Sequence, residues 1–322
     1  MDKIFKAYYV WPRFPSLSLS GTACSLRCKH CNRVYLRDMI DVSSPEKLLS
    51  TCMKLKEHGA VGVLLSGGCK KDGEIINLRR FLPAIKRVKE ETDLIIKLHT
   101  GIVDRELAEG IASAEVDIAS VEVVGSDRAI KDVFGMNLKV DDYRRTLENL
   151  RDAGVKHIVP HVCIGLNAGK IDGEYSAIDM VKETVKPSVF VLIALKPTKG
   201  TEFERAKIPD PEDVYRIVRY AKESFPDVEI SLGCMRPRAE GRIEIERQAL
   251  MAGATRMEIP SKETLKLAES MGYRIKRMTP AAPCPKSMKI GSFSRFTDRK
   301  SLCKQYHFFN RIPPWIPSLS FL

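Results

Sequence analysis

The stretch Ser16-Leu-Ser-Leu-Ser-Gly-Thr-Ala-Cys24-Ser-Leu-Arg-Cys28-Lys-His-Cys31 decides the fold. Residues 16–20 read as a short strand, and the strand feeds straight into a loop carrying three cysteines within eight residues. Three thiolates so spaced can close on one face of an iron–sulfur cube and leave the fourth iron without a protein ligand. An open iron binds a ligand and passes it an electron, so the loop points to redox chemistry. A structural zinc knuckle is the alternative, and it needs a fourth Cys or His nearby. His30 is the local candidate, but it is wedged between two presumed ligands, where closing a tetrahedron is awkward. Nine cysteines, an odd number in a long chain without a signal peptide, argue against a disulfide framework.

Working outward, short β-rich runs alternate with longer amphipathic stretches. After the first run come 60–65, 93–98, 116–124, 157–164, 189–195, 228–232 and 254–259. Helical patterns lie between and after them, at 46–56, 77–91, 104–112, 140–153, 176–185, 211–223, 243–251 and 261–271. Ser44-Pro45 opens the first helix as a cap followed by proline at the first helical position. Gly59, Gly154 and Gly253 end helices just before strands. Eight strand–helix repeats fit an α/β fold, a (βα)8 TIM-like barrel, complete or in the partial six-strand form. A doubly wound open sheet is the runner-up. In such barrels chemistry gathers at the C-terminal ends of the strands, where the cysteine loop stands. The barrel is expected over residues 1–280, with an irregular extension over 281–322 that packs on the barrel or docks a partner.

With 322 residues, 44% of them apolar, the chain can bury one large core. No apolar run has the length of a membrane helix. The expectation is a soluble cytoplasmic protein in a compartment that keeps thiols reduced. Net charge is +12, but basic and acidic residues are interspersed, and no Lys/Arg block with interleaved aromatics marks a nucleic-acid footprint. Only Gln248 and Gln305 represent glutamine, while Lys, Arg, Glu and Ile abound. That bias is typical of a thermophile.

The Cys-x3-Cys-x2-Cys spacing resembles the signature of the radical S-adenosylmethionine (SAM) enzymes. The resemblance implies that Cys24, Cys28 and Cys31 hold a [4Fe–4S] cluster whose open iron chelates the amino and carboxylate groups of SAM. Reductive cleavage then gives methionine and a 5′-deoxyadenosyl radical that abstracts hydrogen from an unactivated carbon. His30 stands where an aromatic often precedes the third cysteine. The run Leu64-Leu-Ser-Gly67-Gly68-Cys69 resembles the family's glycine-rich motif, in which Gly67 and Gly68 would meet the SAM amino group; Cys69 replaces the usual acidic residue. Glu122, a carboxylate in an apolar run, is either a cofactor contact or an ion-pair partner of Lys97. The segment His161-Val-Cys163-Ile164-Gly165 resembles the strand that packs the adenine, which brings in Ile164, while His161 reads as a satisfied core histidine. Pro197-x-x-Gly200-Thr201 is similar to a segment of biotin-synthase-like enzymes. The run Gly233-Cys234-Met-Arg236-Pro-Arg238 clusters arginines that suit a carboxylate or phosphate, and Arg236 is expected to bind cofactor.

Sulfur-inserting members of the family use a second cluster as sulfur donor, and Cys234, Cys284 and Cys303 are the candidate ligands. The chain lacks the extra cysteine motif of single-chain lipoyl synthases and the strand-borne set of biotin synthase. It looks more like the archaeal two-protein lipoyl synthases. That likeness implies sulfur insertion into an octanoyl group on an acidic lipoyl carrier domain, a second radical SAM subunit, and an electron donor of the ferredoxin or flavodoxin kind. RNA or another metabolite as substrate, or a non-catalytic zinc or iron–sulfur protein, are the other readings.

Overall fold

Parallel pairing is what runs separated by helices must adopt, because the chain returns to the same end of the sheet after each crossover. The computed structural model describes residues 3–278. Its strands are β1 (Ile4–Tyr8), β2 (Ser16–Ser18), β3 (Ile40–Asp41), β4 (Gly62–Ser66), β5 (Ile95–His99), β6 (Ile118–Glu122), β7 (Ile158–Ile164), β8 (Phe190–Ala194), β9 (Ile230–Leu232), β10 (Arg256–Glu258) and β11 (Arg274–Met278). The helices are α1 (Pro45–Glu57), α2 (Leu78–Glu91), α3 (Arg105–Ser113), α4 (Asp127–Ala129), α5 (Val140–Asp152), α6 (Glu174–Thr184), α7 (Pro211–Ser224), α8 (Arg242–Met251) and α9 (Lys262–Ser270). All pairings between strands are parallel, in the order β11-β1-β10-β9-β8-β7-β6-β5-β4-β2-β3.

The eight expected strands are β2 and β4–β10, adjacent in chain order. Three more were not anticipated. β1 adds to β10, and β11 adds to β1 as an edge. β11 reads Arg-Ile-Lys-Arg-Met with little of it buried, so it lacks the apolar signal of an inner strand; charge on an edge discourages pairing with other chains. β3 is two residues long and caps the other edge. Among the described residues the sheet does not pair its two edges, so the barrel takes the partial, open form.

Register assigns the two faces. Lys97 lies beside Ile118, His99 beside Ser120, Glu122 beside His161, and Ser231 beside Arg256. Residues in register on parallel strands point the same way, and alternate residues point oppositely. Ile96, Leu98, Ala119, Val121, Val162 and Ile164 form the alternate set, are buried, and belong to the apolar core under the helices. The inner face mixes Ile118, Val159 and Val191 with Lys97, His99, Ser120, His161, Ser231, Arg256 and Glu258. An ordinary barrel fills that space with Val, Ile and Leu. Lys6 Nζ and Arg256 Nε both reach Glu229, at 2.7 and 2.9 Å, and Arg256 lies over the Tyr8 ring at 5.4 Å.

The extension expected from Ala281, with Cys284 and Cys303, lies outside the described residues.

Candidate active site

Residues 19–39, between β2 and β3, form the cysteine loop at the C-terminal ends of the strands. Backbone bonds fold it tightly: the amides of Cys31 and Asn32 donate to Cys28 O, and that of Val34 to Cys31 O. Asn32 and Arg33 take left-handed backbone angles to make the turn. The loop is fastened on both flanks. Ser20 Oγ donates to Ala23 O at 2.9 Å and accepts from the Gly68 amide at 2.8 Å. The Ser25 amide donates to Cys69 O, and the Lys29 amide to Val133 O. Val133 belongs to a π-helical turn, Ile130–Phe134, a form often found at functional sites. His30 stacks edge-on against Phe134 with ring centroids 5.3 Å apart.

The glycine pair after β4 meets this loop directly. A Cβ on Gly68 would stand 2.1 Å from Ala23 O and 2.5 Å from Cys24 Cβ. Both backbone groups of Gly68 are engaged within the protein, the amide by Ser20 and the carbonyl by the Ile76 amide. Its lack of a side chain therefore serves close packing under Cys24. Next to it, the Cys69 amide donates to Cys24 Sγ at 3.3 Å. Gly68→Ala must push the loop away, and the expected outcome is a loss of about 10–100-fold in cluster affinity, as for other supports of metal ligands. Iron per chain after reconstitution checks this.

Cys24, Cys28, Cys31, Gly67, Gly68 and Glu122 line one cavity of about 160 Å³. Burial pushes the Cys28 thiol up, and Cys31, Glu122 and Cys24 push it further; Cys31 is also raised, by burial first. The thiolates thus repel one another across a shared space, and a bound cation would reverse that penalty. Among the described residues no three His, Cys, Asp or Glu side chains gather closely enough for a single metal ion. Sulfurs that each take a different iron of a cube stand further apart than ligands of one ion, so the donor set suits a cluster better than a zinc knuckle. His30 is half-buried beside Phe134 with its Nδ1 buried and unpartnered, and desolvation lowers its pKa to about 4.

Glu122 ends β6. Its side chain is open to the cavity, yet protein surrounds it on most sides, and the resulting desolvation raises its pKa to about 7. It forms no ion pair with Lys97 and no hydrogen bond among the described residues. Tyr143, from α5, lines the same cavity and is almost wholly buried, with its ionisation pushed up by burial and then by Glu122. Sequence reading missed it, because one aromatic on an amphipathic helix looks like core. It also missed Glu174, buried at the start of α6, which accepts from the amides of Gly165 and Asp172 at 2.8 and 2.6 Å and so shapes the turn after β7.

Two expected positions are corrected. The Ile164 side chain lies in the core under the helices, with no exposed surface. Arg236 is wholly buried and occupied by protein: it donates to Glu246 Oε1 at 2.7 Å, to Gly233 O at 2.6 Å and to Glu258 O at 2.7 Å. It braces the loop after β9 and holds no fork of donors for a cofactor.

Below the cavity the inner face stays polar. The imidazoles of His99 and His161 stand edge to face at 5.4 Å, and burial lowers both, His99 to about 3. His161 donates through Nδ1 to Val159 O at 2.9 Å, whereas His99 Nε2, Ser120 Oγ and Ser231 Oγ are buried without a partner. Cys234, after β9, is open to solvent although burial raises its thiol to about 12. Such a group faces an internal space. A larger, more open depression of about 410 Å³ lies among the loops before β8 and β9, at the opposite ends of the strands, and carries none of these groups.

The radical SAM superfamily model matches residues 18–174, which span the cysteine loop, the glycine pair, Glu122 and Glu174. The chain carries a radical SAM domain. Its relatives include biotin synthase of Coxiella burnetii, 23% identical over 247 residues and covering 74% of this chain and 73% of that protein. Biotin synthase of Neorickettsia sennetsu is 24% identical over 250 residues, with the same coverage. Among solved structures, the [FeFe]-hydrogenase maturase HydG matches with a TM-score of 0.60 at 12% identity, over 86% of this chain and 65% of that one, so this chain spans less than two thirds of HydG. Methylornithine synthase, PylB, matches with a TM-score of 0.54 at 17% identity, over 96% and 82%. These likenesses establish the radical SAM fold, a parallel half-barrel with outer helices. No helix among the described residues is long and apolar enough to cross a membrane.

Proposed function

We propose that this radical SAM enzyme inserts sulfur at an unactivated carbon, with Cys24, Cys28 and Cys31 holding a [4Fe–4S] cluster. The arrangement that carries the reading is three thiols lining one cavity, with Cys24 packed against Gly68 on the rim where strand ends meet. When bound, the cluster and SAM supply an electron and a 5′-deoxyadenosyl radical. The chain's own residues do the rest. The Cys69 amide donates to Cys24 Sγ and steadies its charge. Glu122 and Tyr143 present polar atoms to the cofactor from the far wall. Leu26, Leu36, Ile102, Phe134 and Met136 line the same cavity and keep water from the radical.

Sulfur insertion is supported by the biotin synthase relatives. The basic surface suits an acidic lipoyl carrier domain bearing an octanoyl group, beside an electron donor of the ferredoxin or flavodoxin kind. The polar inner face favours a second reading, a hydrogen-bonding metabolite, because methylenes there would leave buried donors and acceptors unsatisfied.

The deciding experiment is anaerobic reconstitution with iron and sulfide, reduction, and incubation with SAM. Formation of 5′-deoxyadenosine is the expected result, and its absence from a fully iron-loaded protein refutes the proposal. Glu122→Gln is expected to raise the apparent KM for SAM about tenfold, the worth of one hydrogen bond to a charged group. Initial rates at varied SAM concentration check it.

A further inference from the structure

Arg236, Arg238 and Arg242 follow β9 within seven residues, and Arg236 and Arg242 share one buried carboxylate. Glu246 Oε1 accepts from Arg236 and from Arg242 Nε at 2.9 Å; its Oε2 accepts from the Ser261 amide and Thr264 Oγ1, both at 2.7 Å. A carboxylate has about four lone-pair positions, so Glu246 has no room for a third guanidinium. Arg238 has no carboxylate partner among the described residues. It donates to Cys234 O at 2.8 Å and, at 3.4 Å, to Ile259 O. A guanidinium offers about five N–H donors, so most of them are unused. Burial, and then Arg236, lower its pKa to about 10, which leaves it cationic at neutral pH.

A half-buried cation without a counter-charge is costly unless an anion meets it. Its neighbour Cys234 opens on the internal space. Ser231, three residues before Cys234, is one of the inner-face residues with an orphaned buried polar atom, alongside His99 and Ser120. Such atoms are rare and mark a water or a ligand.

We propose that Arg238 anchors an anionic group of the substrate, a carboxylate held through the guanidinium fork, while His99, Ser120 and Ser231 meet polar atoms of the same small molecule. The proposal rests on reading the inner space as the substrate chamber of a radical enzyme, and it narrows the substrate to a polar organic acid. A phosphate would present the same chemistry to the arginine.

The test uses the full, iron-loaded chain with SAM, titrated calorimetrically with glutarate, with its neutral analogue glutaramide, and with inorganic phosphate. Glutarate is expected to bind at least about tenfold more tightly than glutaramide. Arg238→Gln should lose that preference, and Arg238→Lys should keep part of it. Phosphate binding that disappears in Arg238→Gln supports the anion anchor with phosphate as the head group. Equal binding of glutarate and glutaramide, no binding of any probe, or an Arg238→Gln variant that binds like the parent overturns it. Melting of each variant without ligand separates lost binding from lost folding. Iron content and 5′-deoxyadenosine are read on the same samples, so a failure of the radical chemistry with anion binding intact stands apart from a failure of the anchor.

Discussion

A chain with Cys24, Cys28 and Cys31 all replaced by alanine is expected to form no 5′-deoxyadenosine and to lose the iron held at this loop. Among the described residues the three are the only thiols that line the cavity apart from Cys69, so their loss removes the donor set of this loop. The fold should survive, because the Ser20 hydroxyl and backbone bonds to Cys69 and Val133 hold the loop, with only one bond reaching a sulfur, Cys24 Sγ. A small, half-buried thiol exchanged for alanine costs about 1 kcal/mol or less where the site is partly open. Thermal melting of the metal-free proteins should therefore nearly coincide while iron content differs. Iron persisting in the variant would reveal a second cluster; a collapsed melting temperature would show that the loop is held by its sulfurs after all.

Glu246→Ala is expected to destabilise the protein by about 3–5 kcal/mol, the range for breaking a buried ion pair from one side. It strands Arg236, wholly buried with its fork directed at the missing carboxylate, and frees the Ser261 amide and Thr264 at the start of α9. Glu246 also sets an acid limit. Burial works to raise its pKa, but Arg236, the Ser261 amide, Arg242 and Thr264 outweigh that and hold it at about 2. A depressed carboxylate stabilises the fold above its unfolded value near 4.5, and that contribution is lost as pH falls from there towards 2. Denaturant midpoints between pH 7 and 3 should fall more steeply in the parent than in Glu246→Gln. Parallel slopes would show that Glu246 does not carry the acid sensitivity.

Much of this was legible in the residues. The strand runs, the helices and the cysteine loop at a strand end follow from period and spacing, and helix edges fall within two residues of expectation because caps such as Ser44, Asp104 and Ser261 are local devices. The misses share a cause. β11 and β3 exist because a sheet edge was available, not because Arg274–Met278 or Ile40–Asp41 prefer extension. Arg236 and Arg238 look alike in sequence; only the position of Glu246, ten residues past Arg236, decides which is structural. Ile164 was misplaced and Tyr143 missed because the direction of a side chain at a strand end, or on a helix facing a loop, is a tertiary fact.

The salt link joining Lys6, Glu229 and Arg256 ties β1 and β10 to the residue just before β9, with its charges almost withdrawn from solvent. It plugs the lower end of the half-barrel with groups that are costly to separate. Lys6 and Glu229 stand 223 positions apart, so the link is complete only once residues from both ends of the described chain have been brought together.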